Sequence, residues 1–90
     1  MTFIYMSSAF AVKITFYANS DCTGSAVSFD VYDSCQDIAP TFYASAKTAD
    51  ADVTIYDIKG CTGNNIEVSS SCTILSFKPA SAKRSPPGRS

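Results

Sequence analysis

The 90-residue chain contains no histidine and no tryptophan. Without histidine it cannot build a Ser-His-Asp or Cys-His catalytic arrangement, and it lacks the commonest general base and a frequent zinc ligand. Only 17% of the residues are charged and 46% are hydrophobic, a balance that argues against a disordered chain. No apolar run approaches the roughly 18 residues that a membrane-spanning helix needs, so we expect no membrane span.

Basic residues are scarce through most of the chain. Residues 1–78 contain four lysines against seven aspartates and one glutamate, so this part offers no electrostatic footprint for nucleic acid or for anionic lipid. We therefore expect no nucleic-acid partner. The remaining cations, Lys83, Arg84 and Arg89, lie in the proline-rich segment 79–90, which we predict to be a disordered basic tail.

The chain has four cysteines, Cys22, Cys35, Cys61 and Cys72, and no Cys-x-x-Cys pair. An even number of cysteines in so short a chain predicts two disulfides rather than a zinc site, and we expect no metal and no other cofactor. Small domains bury little surface and gain stability from such cross-links. Disulfides persist outside the cytosol, so we expect a secreted, extracellular protein.

The N-terminal segment, residues 1–11, is apolar and ends in Ala9-Phe10-Ala11. This small-x-small pattern is typical of a signal-peptidase site. We interpret the segment as a residual leader or an apolar N-terminal extension that precedes the folded domain.

An internal repeat organises the rest of the chain. At an offset of 39 residues, five identities recur: Thr15, Tyr17, Cys22, Thr23 and Gly24 correspond to Thr54, Tyr56, Cys61, Thr62 and Gly63. A second cysteine follows in each half. We therefore predict a single domain, residues 12–78, that is made of two repeats at 12–49 and 50–78.

Both repeats have the pattern of β-strands. Apolar residues alternate at Val12, Ile14 and Phe16, then at Val27, Phe29 and Val31, and the second repeat shows the same alternation. Such alternation is typical of half-buried antiparallel strands, and the polar and glycine residues between them predict a hairpin. Segments 41–47 and 73–78 are predicted as later strands, and segments 33–40 and 69–71 as loops.

The repeated motif, Tyr-x-x-x-x-Cys-x-Gly, resembles the βγ-crystallin signature of aromatic-x-x-x-x-aromatic-x-Gly, with cysteine in place of the second aromatic residue. The resemblance implies an all-β sandwich of two Greek-key units with about eight short antiparallel strands. It also implies that Tyr17 and Tyr56 pack over their hairpins, and that Gly24 and Gly63 adopt a positive φ. The chain is similar to small, secreted, cysteine-rich microbial members of this superfamily, including fungal killer-toxin-like proteins and a metalloproteinase inhibitor.

Three disulfide pairings are compatible with four cysteines. A duplicated unit is expected to carry its own bridge, which would tie its hairpin to the connection that follows. The repeat therefore favours Cys22–Cys35 and Cys61–Cys72.

The resemblance and the cysteines together predict a secreted, non-enzymatic interaction protein. Its expected partner is a protein or cell-surface target outside the producing cell, as for a killer-toxin-like antimicrobial or a host-directed effector. Tyr32 and Tyr43 are candidate partner contacts, because tyrosine offers contact area with a polar handle. An exposed sheet edge would also allow a homodimer.

Two alternatives stay open. A secreted protease inhibitor would use loops 18–21 and 57–60, and a structural crystallin-like protein would bind calcium. The stretches 40–45 and 71–76, where the resemblance places calcium loops, contain no acidic residue. The carboxylates of Asp30, Asp33 and Asp37, and those of Asp50, Asp52 and Asp57, are interpreted as solvated charges rather than catalytic pairs.

Overall fold

The computed structural model describes residues 11–85, and the predictions for residues 1–10 and 86–90 lie outside the described residues. Its eight strands are β1 (Val12–Tyr17), β2 (Ala26–Val31), β3 (Gln36–Asp37), β4 (Ser45–Thr48), β5 (Val53–Ile58), β6 (Thr62–Val68), β7 (Thr73–Ile74) and β8 (Ser81–Arg84). Between residues 11 and 85 there is no helix, and so none that could cross a membrane. The predicted all-β class with about eight short antiparallel strands is confirmed.

The strands form two four-stranded antiparallel sheets. The first has the order β2-β1-β4-β7 and the second β3-β8-β5-β6. In each repeat the fourth strand returns beside the first, which is the Greek-key connection. The third strand of each repeat leaves its own sheet and pairs in the sheet of the other repeat.

The core lies between the two sheets and is built from the alternating apolar positions. Its buried members are Val12, Ile14, Phe16, Val31, Ile38, Ala46, Val53, Ile55, Val68 and Ala82. The ring of Phe16 meets that of Phe29 edge to face, with 5.9 Å between the centroids. The alternation predicted from the sequence therefore identifies the inward faces of β1, β2, β5 and β6.

The domain extends beyond residue 78, where the sequence predicts a disordered tail. Residues Ser81–Arg84 form β8, which lies between β3 and β5 in the second sheet. Ala82 is fully buried opposite Ile55, and the guanidinium of Arg84 lies 3.6 Å from the Asp33 carboxylate. The second repeat thus includes β8, because the second sheet would otherwise lack the strand that joins β3 to β5.

The disulfides join Cys22 to Cys72 and Cys35 to Cys61, so the predicted pairing within each repeat is wrong. The exchanged third strands explain the difference. Cys35 directly precedes β3, which lies in the second sheet with the hairpin of Cys61, and Cys72 precedes β7 in the first sheet. Each bridge therefore ties the hairpin of one repeat to the exchanged strand of the other.

We expect peptide mapping of the non-reduced protein to recover Cys22–Cys72 and Cys35–Cys61 peptides. Replacing both cysteines of the Cys35–Cys61 bridge, as Cys35→Ser with Cys61→Ser, should lower the free energy of unfolding by about 3 kcal/mol. The unfolded chain then gains conformational entropy, because the bridge no longer closes a loop across a separation of 26 residues. Urea denaturation measures this loss. A Cys22–Cys35 peptide in the native protein would contradict the exchanged-strand arrangement.

Candidate functional site

Two buried serines hold the loops of the first hairpin in each repeat. The Ser45 hydroxyl accepts a hydrogen bond from the Cys22 N–H (2.9 Å) and donates to the Asn19 carbonyl. The Ser81 hydroxyl accepts from the Cys61 N–H (2.8 Å) and donates to the Ile58 carbonyl (2.7 Å). Both serines are fully buried, so each fourth strand anchors the hairpin of its own repeat.

These serines were not identified from the sequence, although a signal for them is present. The tetrapeptide Ala-Ser-Ala-Lys occurs at residues 44–47 and again at 80–83. The second copy lies in the segment that composition assigns to a tail. Extending the repeat past residue 78 would have found both β8 and its serine.

The motif residues of the two hairpins have matching conformations. Gly24 and Gly63 have φ values of +89° and +87°, the sign that the βγ-crystallin resemblance implies. Cys22 and Cys61 also have positive φ, near 60°. Tyr17 and Tyr56 are half-buried, in β1 and β5 respectively. The second hairpin is braced further, since the Asp57 carboxylate accepts two hydrogen bonds from Asn64, at 2.9 and 3.0 Å.

The two repeats differ at the position that faces the anchoring serine. In the second sheet this position is Asp37, opposite Ser81, and its carboxylate accepts a hydrogen bond from the Gly60 N–H (3.3 Å). In the first sheet the equivalent residue, opposite Ser45, is Ile74, whose surface is 67% exposed. Asp37, which is hydrogen-bonded to the hairpin of the second sheet, thus corresponds to an exposed apolar residue, Ile74, in the first sheet.

A cleft of about 450 Å³ begins at Leu75, the residue after Ile74. It is lined by Ala18 and by residues 41–44 and 75–78. On its rim the Lys78 ammonium lies 5.7 Å from the centroid of the Tyr43 ring, within the range of a cation–π interaction. We call Tyr43, Ile74, Leu75, Phe77 and Lys78 the β7 patch.

The structure separates the two tyrosines that the sequence selects as partner contacts. Both are exposed, Tyr32 by 41% and Tyr43 by 44%. Tyr32 follows the end of β2, which pairs with the start of β1, whereas Tyr43 lies beside the end of β1. Roughly 16 Å of strand separates these places, so only Tyr43 belongs to the β7 patch.

The acidic residues do not converge on one site. Asp30 lies 3.6 Å from Lys13, Asp33 pairs with Arg84, and Asp57 holds Asn64. Among residues 11–85, no three histidine, cysteine or acidic side chains are close enough to hold a metal ion together.

The two stretches considered for calcium are not structurally equivalent. Residues 40–45 lead into the anchoring Ser45, whereas the matching stretch of the second repeat is 76–81, which leads into Ser81, rather than 71–76. Neither 40–45 nor 76–81 contains an acidic residue. Neither stretch therefore supplies the carboxylates that a calcium loop uses.

The loops considered for protease inhibition are turns with anchored ends. Loop 18–21 lies next to the bridge from Cys22, and its Asn19 carbonyl accepts a hydrogen bond from the Ser45 hydroxyl. Loop 57–60 is tied by Ser81 and Asp37, and its Ile58 side chain is 53% exposed. Both loops are held by these contacts, and the second presents an apolar side chain.

Comparison of this chain with family models, with curated proteins and with solved structures finds no match.

Replacing the anchoring serine of the second hairpin should destabilise the fold. Ser81→Ala leaves the Cys61 N–H and the Ile58 carbonyl without their partner, at an expected cost of about 1–3 kcal/mol in the free energy of unfolding. Ser28→Ala is the matched control, because the Ser28 hydroxyl bonds Thr15 on an exposed face and should cost no more than about 0.5 kcal/mol. Equal losses in urea denaturation would contradict the anchoring role.

Substitutions at two glycines of the second hairpin distinguish the effect of backbone strain from the effect of steric crowding. Both Gly60 and Gly63 have positive φ, so alanine at either position should cost about 1 kcal/mol in backbone strain. A methyl group at Gly63 would also collide with the Asp57 carboxylate and the Ile58 side chain, whereas Gly60 faces open space. Thermal unfolding should therefore show a larger loss for Gly63→Ala than for Gly60→Ala, and the reverse order would disprove the packing of this hairpin.

Proposed function

We propose that the chain is an extracellular, non-enzymatic interaction protein that binds a protein or cell-surface target through the β7 patch. It acts outside the cell that produces it, as a killer-toxin-like antimicrobial or a host-directed effector. The observation that carries this proposal is the exposure of Ile74 beside an aromatic cleft on a small, disulfide-held domain.

The cross-links support the extracellular part of the proposal. Two disulfides use all four cysteines, and disulfides form and persist in oxidising compartments. Each bridge joins the two repeats rather than closing one of them. The pairing therefore holds the whole sandwich together, which suits a small domain that works outside the cell.

The composition of the β7 patch supports a contact surface. Aromatic and large apolar side chains contribute most of the binding energy at protein interfaces, and Tyr43, Phe77 and Ile74 are of this kind. The bridge from Cys72 fixes the chain two residues before Ile74. A surface that is already ordered loses less conformational entropy when a partner binds.

A relationship to the βγ-crystallin superfamily belongs to the same proposal. It is supported by the repeated motif and by the positive φ of Gly24 and Gly63. The killer-toxin-like assignment derives from this relationship and from the cysteine content.

A second candidate, protease inhibition, is favoured by one observation. Loop 57–60 is held at both ends and presents Ile58 to solvent. This function uses the second hairpin, whereas the proposed interaction surface lies at the first sheet. Protease inhibition therefore depends on Ile58 and not on Ile74, whereas target binding through the β7 patch depends on Ile74 and not on Ile58.

The substitution Ile74→Ser should reduce binding to target cells by about tenfold or more, because it removes the most exposed large apolar side chain described in the domain. The matched control is Ile58→Ser, the same change at a side chain of similar exposure in the second hairpin. Flow cytometry with labelled protein on a panel of microbial and plant cells measures binding, and unchanged melting temperatures confirm the fold. Loss of protease inhibition in Ile58→Ser alone would favour the inhibitor, and unchanged cell binding in Ile74→Ser would contradict the proposed surface.

A further inference from the structure

We infer that the partner of the β7 patch is an acidic protein segment that carries an aromatic or large aliphatic side chain. This inference rests on the proposed function and specifies the chemistry of its partner. The apolar side chain would enter the cleft beside Leu75 and Phe77, and a flanking carboxylate would pair with Lys78.

The distribution of charge along the chain supports an acidic partner. Both loops that line the cleft lie in segments without any carboxylate, residues 38–49 and 68–85, which carry Lys47, Lys78, Lys83 and Arg84. All eight acidic residues lie elsewhere. The only charged side chain that lines the cleft is Lys78. The nearest acidic residue on the adjacent hairpin, Asp21, accepts a hydrogen bond from the Thr23 hydroxyl (2.5 Å).

A second cation flanks the exposed isoleucine. Lys47 is exposed and lies two residues after Ser45 in β4, and Ser45 is the residue directly opposite Ile74. Residues two apart on a strand share one face, so Lys47 and Ile74 are diagonal neighbours, about 7–8 Å apart on the outer face of the sheet. Lys47 therefore flanks Ile74, and Lys78 lies at the cleft, so each apolar feature has a cation beside it that can pair with a carboxylate.

Comparison of the two repeats shows that the fold does not require an apolar residue at position 74. The equivalent residue, Asp37, is polar and bonds the Gly60 N–H. In the first sheet Asp21 stands where the second sheet has Gly60, and Ile74 stands where the second sheet has Asp37. The internal contact of Asp37 thus has no counterpart at Ile74, whose side chain faces solvent. An external contact explains this exchange.

The backbone of β7 also offers an open edge. The Leu75 N–H donates to the Ala44 carbonyl (3.1 Å), so Ile74 and Ser45 form a non-hydrogen-bonded pair. In antiparallel sheets the N–H and C=O of such a residue point away from the paired strand. The backbone groups of Ile74 therefore face the free edge of the sheet, where an extended partner segment can pair with them.

The test is a titration of the full ¹⁵N-labelled chain with two synthetic octapeptides, followed by NMR. Both peptides have Phe-Leu at the centre, and their flanking residues are glutamates in one and lysines in the other. We expect the glutamate peptide to shift the amide signals of Ala44, Ile74 and Leu75, and to bind at least about fivefold more tightly than the lysine peptide. In Lys78→Glu the preference should be lost or reversed, whereas Lys59→Glu, the same charge change in the second hairpin, should retain it.

The possible results separate this inference from the function on which it rests. Equal binding of the two peptides at the patch, lost in Ile74→Ser, would overturn the acidic partner and leave the proposed surface intact. Shifts confined to other parts of the domain, or no shifts with either peptide, would also overturn the acidic partner. The proposed function itself stands or falls with the cell-binding comparison of Ile74→Ser and Ile58→Ser.

Discussion

The exchange of the third strands between the sheets is the constraint on which the rest of the structure depends. Because β3 completes the second sheet and β7 completes the first, neither repeat can form its four-stranded sheet alone. The exchange brings Cys35 beside the second hairpin and Cys72 beside the first, so both disulfides follow from it. It also brings Asp37 to Gly60, and it leaves Ile74 at an open edge of the first sheet.

The long strands could be predicted from the sequence, whereas β4 and β7 only overlap the predicted strands 41–47 and 73–78, and β3 and β8 lie in a predicted loop and a predicted tail. In β1, β2, β5 and β6 one face must be apolar, so buried apolar residues recur at every second position and reveal the strand. β3 and β7 have two residues each, too few to show a period, and β8 has only Ala82 as a buried apolar residue. The pairing of the cysteines was mispredicted because it assumed that each repeat closes on itself. Tyr43 could be selected from its residue type, whereas Ile74 and Lys78 became candidates only through their exposure and position in the sheet.

The internal duplication serves as a comparison within one molecule. Equivalent serines, cysteines and glycines keep equivalent contacts and backbone angles in both repeats, which identifies them as requirements of the fold. Two pairs that differ, Asp37 with Ile74 and Ile38 with Leu75, lie on the exchanged strands or directly after them. In the second sheet Asp37 is bonded to the hairpin and Ile38 is buried, whereas in the first sheet Ile74 is exposed and Leu75 lines the cleft. The exchanged strands are therefore one place where the repeats differ in both residue type and contacts, and in the first sheet this place meets solvent.

The nested arrangement of the bridges bears on how such a surface can bind. The Cys35–Cys61 bridge lies inside the loop that the Cys22–Cys72 bridge closes. Once Cys35 and Cys61 are joined, the chain path from Cys22 to Cys72 runs through that inner bridge and is much shorter than the 50-residue separation in sequence. The contribution of the Cys22–Cys72 bridge to stability is then close to that of the inner bridge, about 3 kcal/mol, rather than the larger value for a 50-residue loop. The Cys22–Cys72 bridge still fixes the position of β7, whatever its contribution to stability. It fixes the two-residue strand β7 to the 18–25 hairpin at one end, while the Leu75 N–H holds the other end to Ala44. Binding at Ile74 therefore requires little further ordering of the chain, and more of the contact energy is available as affinity.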